Sequence, residues 1–417
     1  MISYHTCPLA TLGGKDTGGM NVYVRDLTRQ LGRLGIHVDI FTRSQDDHVP
    51  HVLHDLGYGN RVVHITAGPE TPLPKQELPQ YLAQFVDGIQ AFALSKGIQY
   101  DLIHSHYWMS GLAARDLKQS WQVPIVHMFH TLGIMKQRVA RESDEADSSE
   151  RLQGEGELLR IADRIVSPTP AELAQLQWLY QADVRKVVII PPGVDLGHFY
   201  PIPVEEAKEF IGVNPCESVV LYVGRIEPLK GIDTLIDAIG ILKHKGVIVC
   251  LSIIGGDPDL SPEAKSAEMA RLQTLRERDD LKDLVAFLGR RSQDTLPYYY
   301  SAAEAVVVPS HYESFGMVAL EAMACGTPVV ASQVGGLAFL VQDGVTGFTI
   351  PVEDPHALAE RLILLVQDAE LRKKMSASAA NFALNYSWQK IAPRIVQVYN
   401  DVLESAVEPN SNIELPH

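Results

Sequence analysis

The chain has 417 residues, of which 46% are hydrophobic and 21% charged, and its formal net charge is −15 at pH 7. This length exceeds one compact core and suits two domains. The acidic balance argues against nonspecific binding to nucleic acid or to an acidic membrane. The four cysteines show no paired spacing, which is typical of a reducing cytosol. Because the sequence has neither a long apolar stretch nor a leader pattern, it predicts a cytoplasmic protein.

The first predicted elements are a short strand and a glycine-rich loop. Met1–Tyr4 resembles the end of a first parallel strand at about half the usual length, which indicates a truncated or misassigned start. The loop over residues 12–21 leads into a helix predicted over Met20–Leu34. Gly18 and Gly19 would let backbone N–H groups approach a ligand closely. An ordinary βα loop is the alternative, and no G-x-G-x-x-G pattern supports a dinucleotide site.

A basic stripe runs along this first helix. Arg25, Arg29 and Arg33 recur every four residues and therefore lie on one face. Such a stripe is usually a solvated face. The alternative is a surface that binds a phospholipid membrane.

Apolar strands alternate with helical stretches through the first half of the chain. Strands are predicted at His37–Thr42, Arg61–Ile65, Leu102–His104, Ile125–Phe129, Arg164–Ser167 and Val187–Ile190. Helices are predicted at Leu78–Gly97, Gly111–Ser120 and Gly154–Ala162, with a loop at the acidic run Glu142–Glu150. Near-continuous apolar strands in alternation with helices predict a doubly wound parallel sheet.

A second cycle of the same kind follows the turn-rich segment Pro191–Pro201, which marks a domain boundary. It begins with a strand in the segment Val219–Arg225. Further strands are predicted at Val249–Ile254, Val285–Leu288, Ala305–Val308 and Val329–Ala331, and the helix Pro355–Leu365 and the tail Ile391–Leu403 close the cycle. We therefore predict an α/β fold of two facing Rossmann-like domains, with a cleft between the carboxyl ends of their strands. The predicted bounds are residues 1–195, 196–385 and a C-terminal segment 386–417.

The stretch Val308–Gly326 is predicted to be the end of a strand, a turn and a helix. Glu313 precedes the helix and Glu321 lies about two turns inside it, so the two carboxylates are on the order of 12 Å apart along the axis. That separation could span a nucleotide sugar. An ordinary βα unit with a charged loop is the alternative.

Two further features of this half suit a diphosphate. The N–H groups of Phe315, Gly316 and Met317 would face outward at the positive end of the helix dipole. Arg225 and Lys230 lie in a G-R-x-x-x-x-K-G loop at the carboxyl end of the first strand of this half. Two cations that face a helix N-terminus would stabilise a diphosphate as it leaves. A lone Arg and Lys pair in a loop is otherwise usually a surface feature.

The string E-S-F-G-M-V-A-L-E-A-M-A-C-G-T-P-V-V-A-S resembles the E-x7-E signature of the retaining family 4 glycosyltransferases, whose GT-B fold has two facing Rossmann domains. The G-R-x-x-x-x-K-G loop resembles a motif of the same enzymes. The resemblance implies that Arg225 and Lys230 hold the donor pyrophosphate, that Glu313 orients the sugar hydroxyls, and that Glu321 binds the ribose diol. It also places His130 of the segment H-M-F-H-T against the donor sugar, although a structural histidine is the alternative. In this family the last helix crosses back onto the first domain.

The first half resembles a narrower group. The segments G-G-M-N-V-Y-V, H-S-H-Y-W-M-S-G and H-M-F-H-T-L are similar to those of the enzymes that glycosylate inositol phosphate in mycothiol synthesis. Sucrose-phosphate synthases are related, but they usually carry an alanine-rich version of the H-x-H-Y segment. The resemblance assigns the acceptor phosphate to Lys75, Tyr107, Thr131 and Arg151. Two cations and two hydroxyls suit a phosphate dianion.

Neither a metal nor a cofactor is predicted. Asp257 and Asp259 form a D-x-D pattern, by which other glycosyltransferases bind manganese. Here the pattern lies in a Gly-Pro loop, so a role in turn formation is favoured. His104 and His106 lack a nearby cysteine or carboxylate partner for zinc.

The sequence thus predicts a retaining glycosyltransferase that moves glucose or N-acetylglucosamine from a UDP-sugar to a phosphorylated sugar or polyol. The sequence does not decide whether the nucleotide of the donor is UDP or ADP. It also does not decide whether the acceptor is fructose 6-phosphate or inositol phosphate. The alternatives are a glycosyltransferase with a membrane lipid acceptor, and a nucleotide-sugar epimerase or binding protein of the same fold. A homodimer is compatible with the sequence.

Overall fold

The computed structural model describes residues 1–11, 17–140, 149–212, 218–261 and 266–407. The start of the glycine-rich loop (12–16), most of the acidic run (142–148) and Cys216 therefore lie outside the described residues. The strands are β1 (Asp39–Arg43), β2 (Val52–Leu53), β3 (Arg61–Ile65), β4 (Ile103–His106), β5 (Ile125–Met128), β6 (Arg164–Ser167), β7 (Val187–Ile189), β8 (Val219–Val223), β9 (Cys250–Ile254), β10 (Val285–Gly289), β11 (Ala305–Val308), β12 (Val329–Ser332) and β13 (Gly347–Ile350). The helices are α1 (Gly19–Arg33), α2 (Leu82–Lys96), α3 (Trp108–Trp121), α4 (Gly133–Val139), α5 (Ser149–Ile161), α6 (Pro170–Tyr180), α7 (Val204–Ile211), α8 (Ile232–His244), α9 (Ala267–Arg278), α10 (Leu296–Ala302), α11 (Met317–Ala324), α12 (Leu337–Leu340), α13 (Pro355–Gln367), α14 (Ala369–Ala383) and α15 (Trp388–Val407).

The first sheet is completed by the segment at the start of the chain. Strands β1, β3 and β2 form one group and β4 to β7 another, and Ile2 bridges the two through parallel pairing with Phe41 and Ser105. The backbone N–H of Ile2 donates to His104 O at 3.0 Å, and that of Ser3 donates to Phe41 O at 2.9 Å. Among the strands in the described ranges, only β2 pairs antiparallel. The loops after Ile2 and after β4 therefore meet at the point where the strand order reverses.

The second sheet is six-stranded and parallel, in the order β10-β9-β8-β11-β12-β13. Counted along this half of the chain, that is the order 3-2-1-4-5-6 of the doubly wound fold. The strand order reverses between β8 and β11. The two loops that carry the predicted donor motifs thus leave adjacent strands at the position where such sheets bind ligands.

Each sheet is covered on both faces by apolar side chains. One cluster on the first sheet contains Leu27 and Leu31 of α1 together with Trp388, Ile391 and Ile395 of α15. The last helix therefore packs on the first half of the chain. Because α1 starts at the glycine-rich loop, this packing fixes one wall of the gap between the sheets.

The predicted α/β fold class is confirmed, and β3, β6 and β11 have the bounds predicted from the sequence. The prediction of a loop for the acidic run is wrong at its end, because Ser149 and Glu150 begin α5. Cys250 is disulfide-bonded, a pairing that the spacing of the cysteines did not indicate. Cys7 and Cys325 are free thiols. Within the described ranges, every helix is too short or too polar to cross a bilayer.

Candidate active site

A cavity of about 290 Å³ lies between the carboxyl ends of the two sheets. Loops from both halves of the chain line it, including those that follow Ile2, β4 and β5 in the first sheet and β8 and β11 in the second. Every site residue predicted from the sequence lines this cavity except Arg151. Arg151 lies directly behind the wall, in contact with residues that do line it.

The loop after β8 presents both predicted cations. The hydroxyl of Tyr222 donates to Arg225 O at 2.8 Å, which ties the loop to the strand it leaves. The guanidinium of Arg225 pairs with Glu227 at 2.8 Å. Lys230 ends a short 3-10 turn, and its Nζ lies 2.7 Å from Oε2 of Glu313. One predicted diphosphate ligand therefore contacts the carboxylate predicted to orient the sugar.

The loop after β11 presents backbone N–H groups. Gly316 precedes α11 with φ of 104°, a left-handed conformation that favours glycine, and no side chain of the described residues caps the helix. The first N–H groups of α11 are thus available to an anion in the cavity. A turn after β12 packs against this loop, because a Cβ on Gly335 would lie 2.0 Å from Glu313 O. No motif in the sequence indicates this support from Gly335.

The glycine-rich loop of the first half reaches across to the second. A Cβ on Gly18 would lie 3.9 Å from Arg225 Nε, and one on Gly19 would lie 3.2 Å from Met317 Cγ. Asn21 fixes the loop, since its Oδ1 accepts from Gly18 N at 2.9 Å. Its Nδ2 donates to two groups near the start of the chain. Asn21 is a further residue that the sequence analysis did not single out.

His130 follows β5 and has φ of 62°, in the left-handed region. Its Nε2 is 3.1 Å from Nδ1 of His106, and its ring meets the Tyr23 ring edge to face at 5.3 Å. Burial lowers the pKa of His130 to about 3, so the imidazole is neutral at pH 7. A neutral imidazole can donate through one ring nitrogen and accept through the other.

The four residues predicted to bind the acceptor phosphate lie together. Arg151 donates to the hydroxyl of Tyr107 at 3.2 Å and to the hydroxyl of Thr131 at 3.0 Å. Its guanidinium stacks over the Tyr107 ring at 4.8 Å, and Nζ of Lys75 lies 5.8 Å from the same ring. Two cations and two hydroxyls that are far apart in sequence thus converge beside the cavity.

A buried carboxylate holds this cluster. Arg151 is 1% exposed, and its Nε donates to Oε1 of Glu155 at 2.7 Å. Glu155 also accepts from the N–H of Gly133 at 3.0 Å and from the hydroxyl of Tyr180. The spacing of four residues between Arg151 and Glu155 on one helix was the signal available in the sequence.

Glu321 lies deeper than its predicted role implies. It is buried, and its Oε2 accepts from the Tyr300 hydroxyl at 2.8 Å. Burial raises the pKa of Glu321 to about 7. Glu321 is nevertheless one of the residues that line the cavity.

Two contacts across the gap flank Glu313. The hydroxyl of Tyr312 accepts from Leu132 N at 3.3 Å, and the hydroxyl of Ser314 donates to Oε2 of Glu172 at 2.5 Å. Burial raises the pKa of Glu172 to about 7, although the bond from Ser314 opposes that shift. These contacts join the first half to the loop that carries Glu313, and the sequence analysis found neither.

Among the described residues that line this cavity, no three potential metal ligands lie close enough together to hold one ion. Asp257 and Asp259 lie in a turn after β9, as their Gly-Pro context predicted. In the part of the chain that the structure describes, a metal could be held by three neighbouring ligands at Asp46, Asp47 and His48. These three residues are exposed, and none of them lines the cavity.

Two family models match the two halves of the chain. The model for Glycosyltransferase Family 4 matches residues 17–198, and the model for Glycosyl transferases group 1 matches residues 203–382. A D-inositol 3-phosphate glycosyltransferase from Kineococcus radiotolerans is 40% identical over 418 residues, which cover 97% of this chain and 95% of the relative. The chain belongs to glycosyltransferase family 4.

Other proteins similar to this family 4 glycosyltransferase are also glycosyltransferases or share its fold. D-inositol 3-phosphate glycosyltransferase 2 from Catenulispora acidiphila is 39% identical over 410 residues, or 97% of this chain and 95% of the relative. Sucrose-phosphate synthase from Thermosynechococcus elongatus has a TM-score of 0.89 and 36% identity, and the match covers 97% of this chain and 98% of the synthase. Anabaena HepE in complex with UDP-glucose has a TM-score of 0.74 at 22% identity over 96% and 99% of the two chains, which shows the shared fold. The predicted enzyme class and fold are therefore confirmed.

Proposed function

We propose that this enzyme transfers a hexosyl group from a UDP-sugar to a hydroxyl of a phosphorylated sugar or polyol, with retention of the anomeric configuration. The single observation that carries the proposal is the convergence of Lys75, Tyr107, Thr131 and Arg151 beside a cavity that also holds the donor loops. Two relatives of known name, an inositol 3-phosphate glycosyltransferase and a sucrose-phosphate synthase, point to the same class of acceptor.

The donor diphosphate is assigned to the second half of the chain. Arg225, Lys230 and the N–H groups of Phe315, Gly316 and Met317, which lead into and begin α11, would neutralise the leaving diphosphate. UDP-glucose in the complex of the structural neighbour HepE supports a UDP-linked donor. No cofactor is part of the proposal.

The reaction needs no protein nucleophile. The acceptor hydroxyl attacks the anomeric carbon on the face that the diphosphate leaves, the bond from that carbon to the diphosphate oxygen breaks, and the hydroxyl proton passes to a departing phosphate oxygen. His130, Arg225, Lys230 and Glu313 are the catalytic residues of this proposal. Glu313 orients the sugar hydroxyls, while Gly18 and Gly19 close over the donor.

The remaining roles follow from position. Glu321 would bind the ribose diol, with one oxygen committed to Tyr300. Closure of the gap would exclude water and protect the donor from hydrolysis.

We propose domain bounds at residues 1–195 and 196–385, followed by a C-terminal segment 386–417.

The arginine stripe gives no support to a lipid acceptor. Arg25 pairs with Asp26 at 2.7 Å, Arg29 lies 3.9 Å from the same carboxylate, and Nε of Arg33 donates to the Tyr58 hydroxyl at 3.3 Å. We therefore keep a soluble phosphorylated acceptor as the proposal.

The test is a matrix of donors and acceptors with released nucleotide diphosphate as the readout. UDP-glucose, UDP-N-acetylglucosamine and ADP-glucose are each combined with inositol 3-phosphate, fructose 6-phosphate and their dephosphorylated forms. We expect release only with a UDP-sugar and a phosphorylated acceptor. Turnover of the dephosphorylated forms at equal kcat/KM would contradict the proposal. Chromatography of the UDP-sugar incubated without acceptor is the second readout, and conversion of its sugar without release of UDP would indicate an epimerase.

A further inference from the structure

Helix α6 begins with a carboxylate that its own sequence would use elsewhere. Residues 169–172 read T-P-A-E, the pattern in which a threonine and a glutamate cap the start of a helix reciprocally. Thr169 caps α6, because its Oγ1 accepts from Glu172 N at 3.2 Å. The Glu172 side chain instead accepts, through Oε2, from the hydroxyl of Ser314 across the gap at 2.5 Å. Its Oε1 is buried without a hydrogen-bond partner among the described residues, so the carboxyl serves the contact with Ser314 and not the cap.

Ser314 lies in the loop that carries the proposed donor ligands. It stands between Glu313, which is proposed to orient the sugar, and Phe315, whose N–H is proposed to bind the diphosphate. The loop is held on the second half by Gly336, whose N–H donates to Glu313 O at 3.0 Å. From the first half, the hydroxyl of Ser314 is held by Glu172. Movement of Ser314 would therefore move the adjacent Glu313 carboxylate.

The far end of α6 is tied to the acceptor phosphate cluster. The hydroxyl of Tyr180 donates to Glu155 and accepts from Ile134 N at 3.1 Å. Glu155 in turn holds the guanidinium of Arg151. Because α6 is fixed in this way, Glu172 is ordered before the gap closes, and its contact across the gap costs little conformational freedom.

Burial governs the charge of Glu172, which is 1% exposed. Burial and, to a smaller extent, the negative charge of Glu155 raise its pKa to about 7, although the hydrogen bond from across the gap opposes that shift. Tyr312 neighbours this contact in the loop after β11, and the ionisable groups within its electrostatic reach are Glu172, Arg151 and Glu313. The Glu172 carboxyl therefore changes charge near neutral pH.

Closure of the gap should take up a proton at Glu172. Opening would separate its carboxyl from Ser314 and admit water, which returns the pKa toward the ordinary value of 4.5. A group whose pKa is higher in one form stabilises that form at low pH, and this stabilisation is lost as pH rises through the higher pKa. The closed form should therefore be favoured at pH 6 and weakened at pH 8.

We propose that Glu172 is a positioning residue that holds the gap closed through Ser314 and thereby orients Glu313 toward the donor sugar. Glu172 is not among the residues that line the cavity, so it acts through Ser314 and touches neither substrate. This deepens the proposed function and rests on the role of Glu313 in it.

Four variants isolate the contact. Glu172→Ala and Ser314→Ala each remove one partner, and the double variant removes both. Glu172→Gln keeps an oxygen that accepts from Ser314 but carries no charge at any pH. Glu157→Gln is the matched control, because this carboxyl lies on α5 in the same half, pairs with Arg115 at 3.0 Å and does not line the cavity. Melting temperature and calorimetric UDP affinity report whether each variant keeps its fold and its diphosphate site.

The first readout is kcat at pH 6 with saturating UDP-sugar and acceptor. We expect each alanine variant to lower kcat by about fivefold to a hundredfold, with the affinity for UDP unchanged. The double variant should lose no more than the weaker of the two single variants, because both changes break one contact. Glu172→Gln should recover most of the activity, and Glu157→Gln should match the wild type.

The second readout is the pH dependence, which a purely structural role of Glu172 would not produce. With a pKa of about 7 in the closed form, the ratio of kcat/KM between the wild type and Glu172→Gln should fall by about tenfold from pH 6 to pH 8. Small-angle X-ray scattering with saturating UDP should show a larger radius of gyration at pH 8 than at pH 6 for the wild type. Glu172→Gln should have the same radius at both pH values.

The outcomes distinguish this proposal from the proposed function. If the wild type transfers to no phosphorylated acceptor, the proposed function fails, whereas the scattering comparison still decides whether Glu172 holds the gap closed. If the wild type transfers as proposed but both alanine variants keep its kcat, only the role of Glu172 is refuted. Losses that add in the double variant, or a kcat/KM ratio that does not change with pH, would likewise refute that role.

Discussion

Replacement of Lys75 by alanine should weaken acceptor binding selectively. Lys75 opens a short 3-10 turn, and its Nζ lies over the Tyr107 ring at 5.8 Å, beside the Arg151 guanidinium. A hydrogen bond between a charged side chain and a phosphate contributes about 1.5–3 kcal/mol, which corresponds to about 10- to 150-fold in affinity. The acceptor KM should therefore rise by about that factor, while the KM for UDP-sugar changes little.

Lys75 is the better of the two cations for this test. Arg151 is 1% exposed and pairs with the fully buried Glu155, so its removal would strand a buried charge and cost about 3–5 kcal/mol of stability. Lys75 is only half-buried, and its loss should alter stability by about 0.5 kcal/mol or less.

The assay follows UDP release at varied acceptor concentration, in low and in high salt. Lys96→Ala is the matched control, because this exposed lysine lies in the last turn of α2 in the same half of the chain. The Lys75 effect should be larger at low salt, where the charge is less screened. An unchanged acceptor KM, or an equal rise in the donor KM, would refute the assignment of Lys75 to the acceptor phosphate.

Two further predictions concern stability. Burial raises the pKa of Glu172 from 4.5 to about 7, so the folded protein keeps a proton that the unfolded chain loses over this pH range. The free energy of unfolding should therefore fall by about 3 kcal/mol as pH rises from 4.5 to 7, and Glu172→Gln should lack this fall. The test is the melting temperature of the wild type and of the variant at pH 5 and at pH 8. The same difference in melting temperature between the two proteins at both pH values would contradict the prediction. Gly193→Ala would place a Cβ 2.4 Å from Trp388 Cδ2 and should cost about 1–3 kcal/mol through overpacking beneath α15. An unchanged melting temperature would show that Trp388 can move aside.

Local patterns were sufficient for much of the fold. Runs of apolar residues between helical stretches placed β3, β6 and β11 at their observed bounds. β13 was missed because it begins at Gly347, next to turn residues. In the structure Gly347 lies so close to β12 that a Cβ would be 1.9 Å from Val329 O. Position 347 requires glycine because of this contact with β12, which is distant in sequence. A pattern of neighbouring residues therefore could not predict the strand.

The candidate site was predictable where function resides in a loop directly after a strand. The loops that carry Arg225 and Glu313 are of this kind, because parallel strands bring their carboxyl ends to one edge. Glu172 and Ser314 are 142 residues apart and hydrogen-bond across the gap. Their pairing depends on how the two halves face each other, so it could not be deduced from either segment alone.

The central claim is that the leaving diphosphate is neutralised by the loop after β8 and the first turn of α11. The most direct test is the transfer rate of an Arg225→Ala, Lys230→Ala double variant at saturating UDP-sugar and acceptor. Charge stabilisation of this kind typically accounts for a factor of 10² to 10³ per group, so we expect kcat to fall by about a thousandfold or more. A kcat within about tenfold of the wild-type value, in a variant with an unchanged melting temperature, would contradict the account.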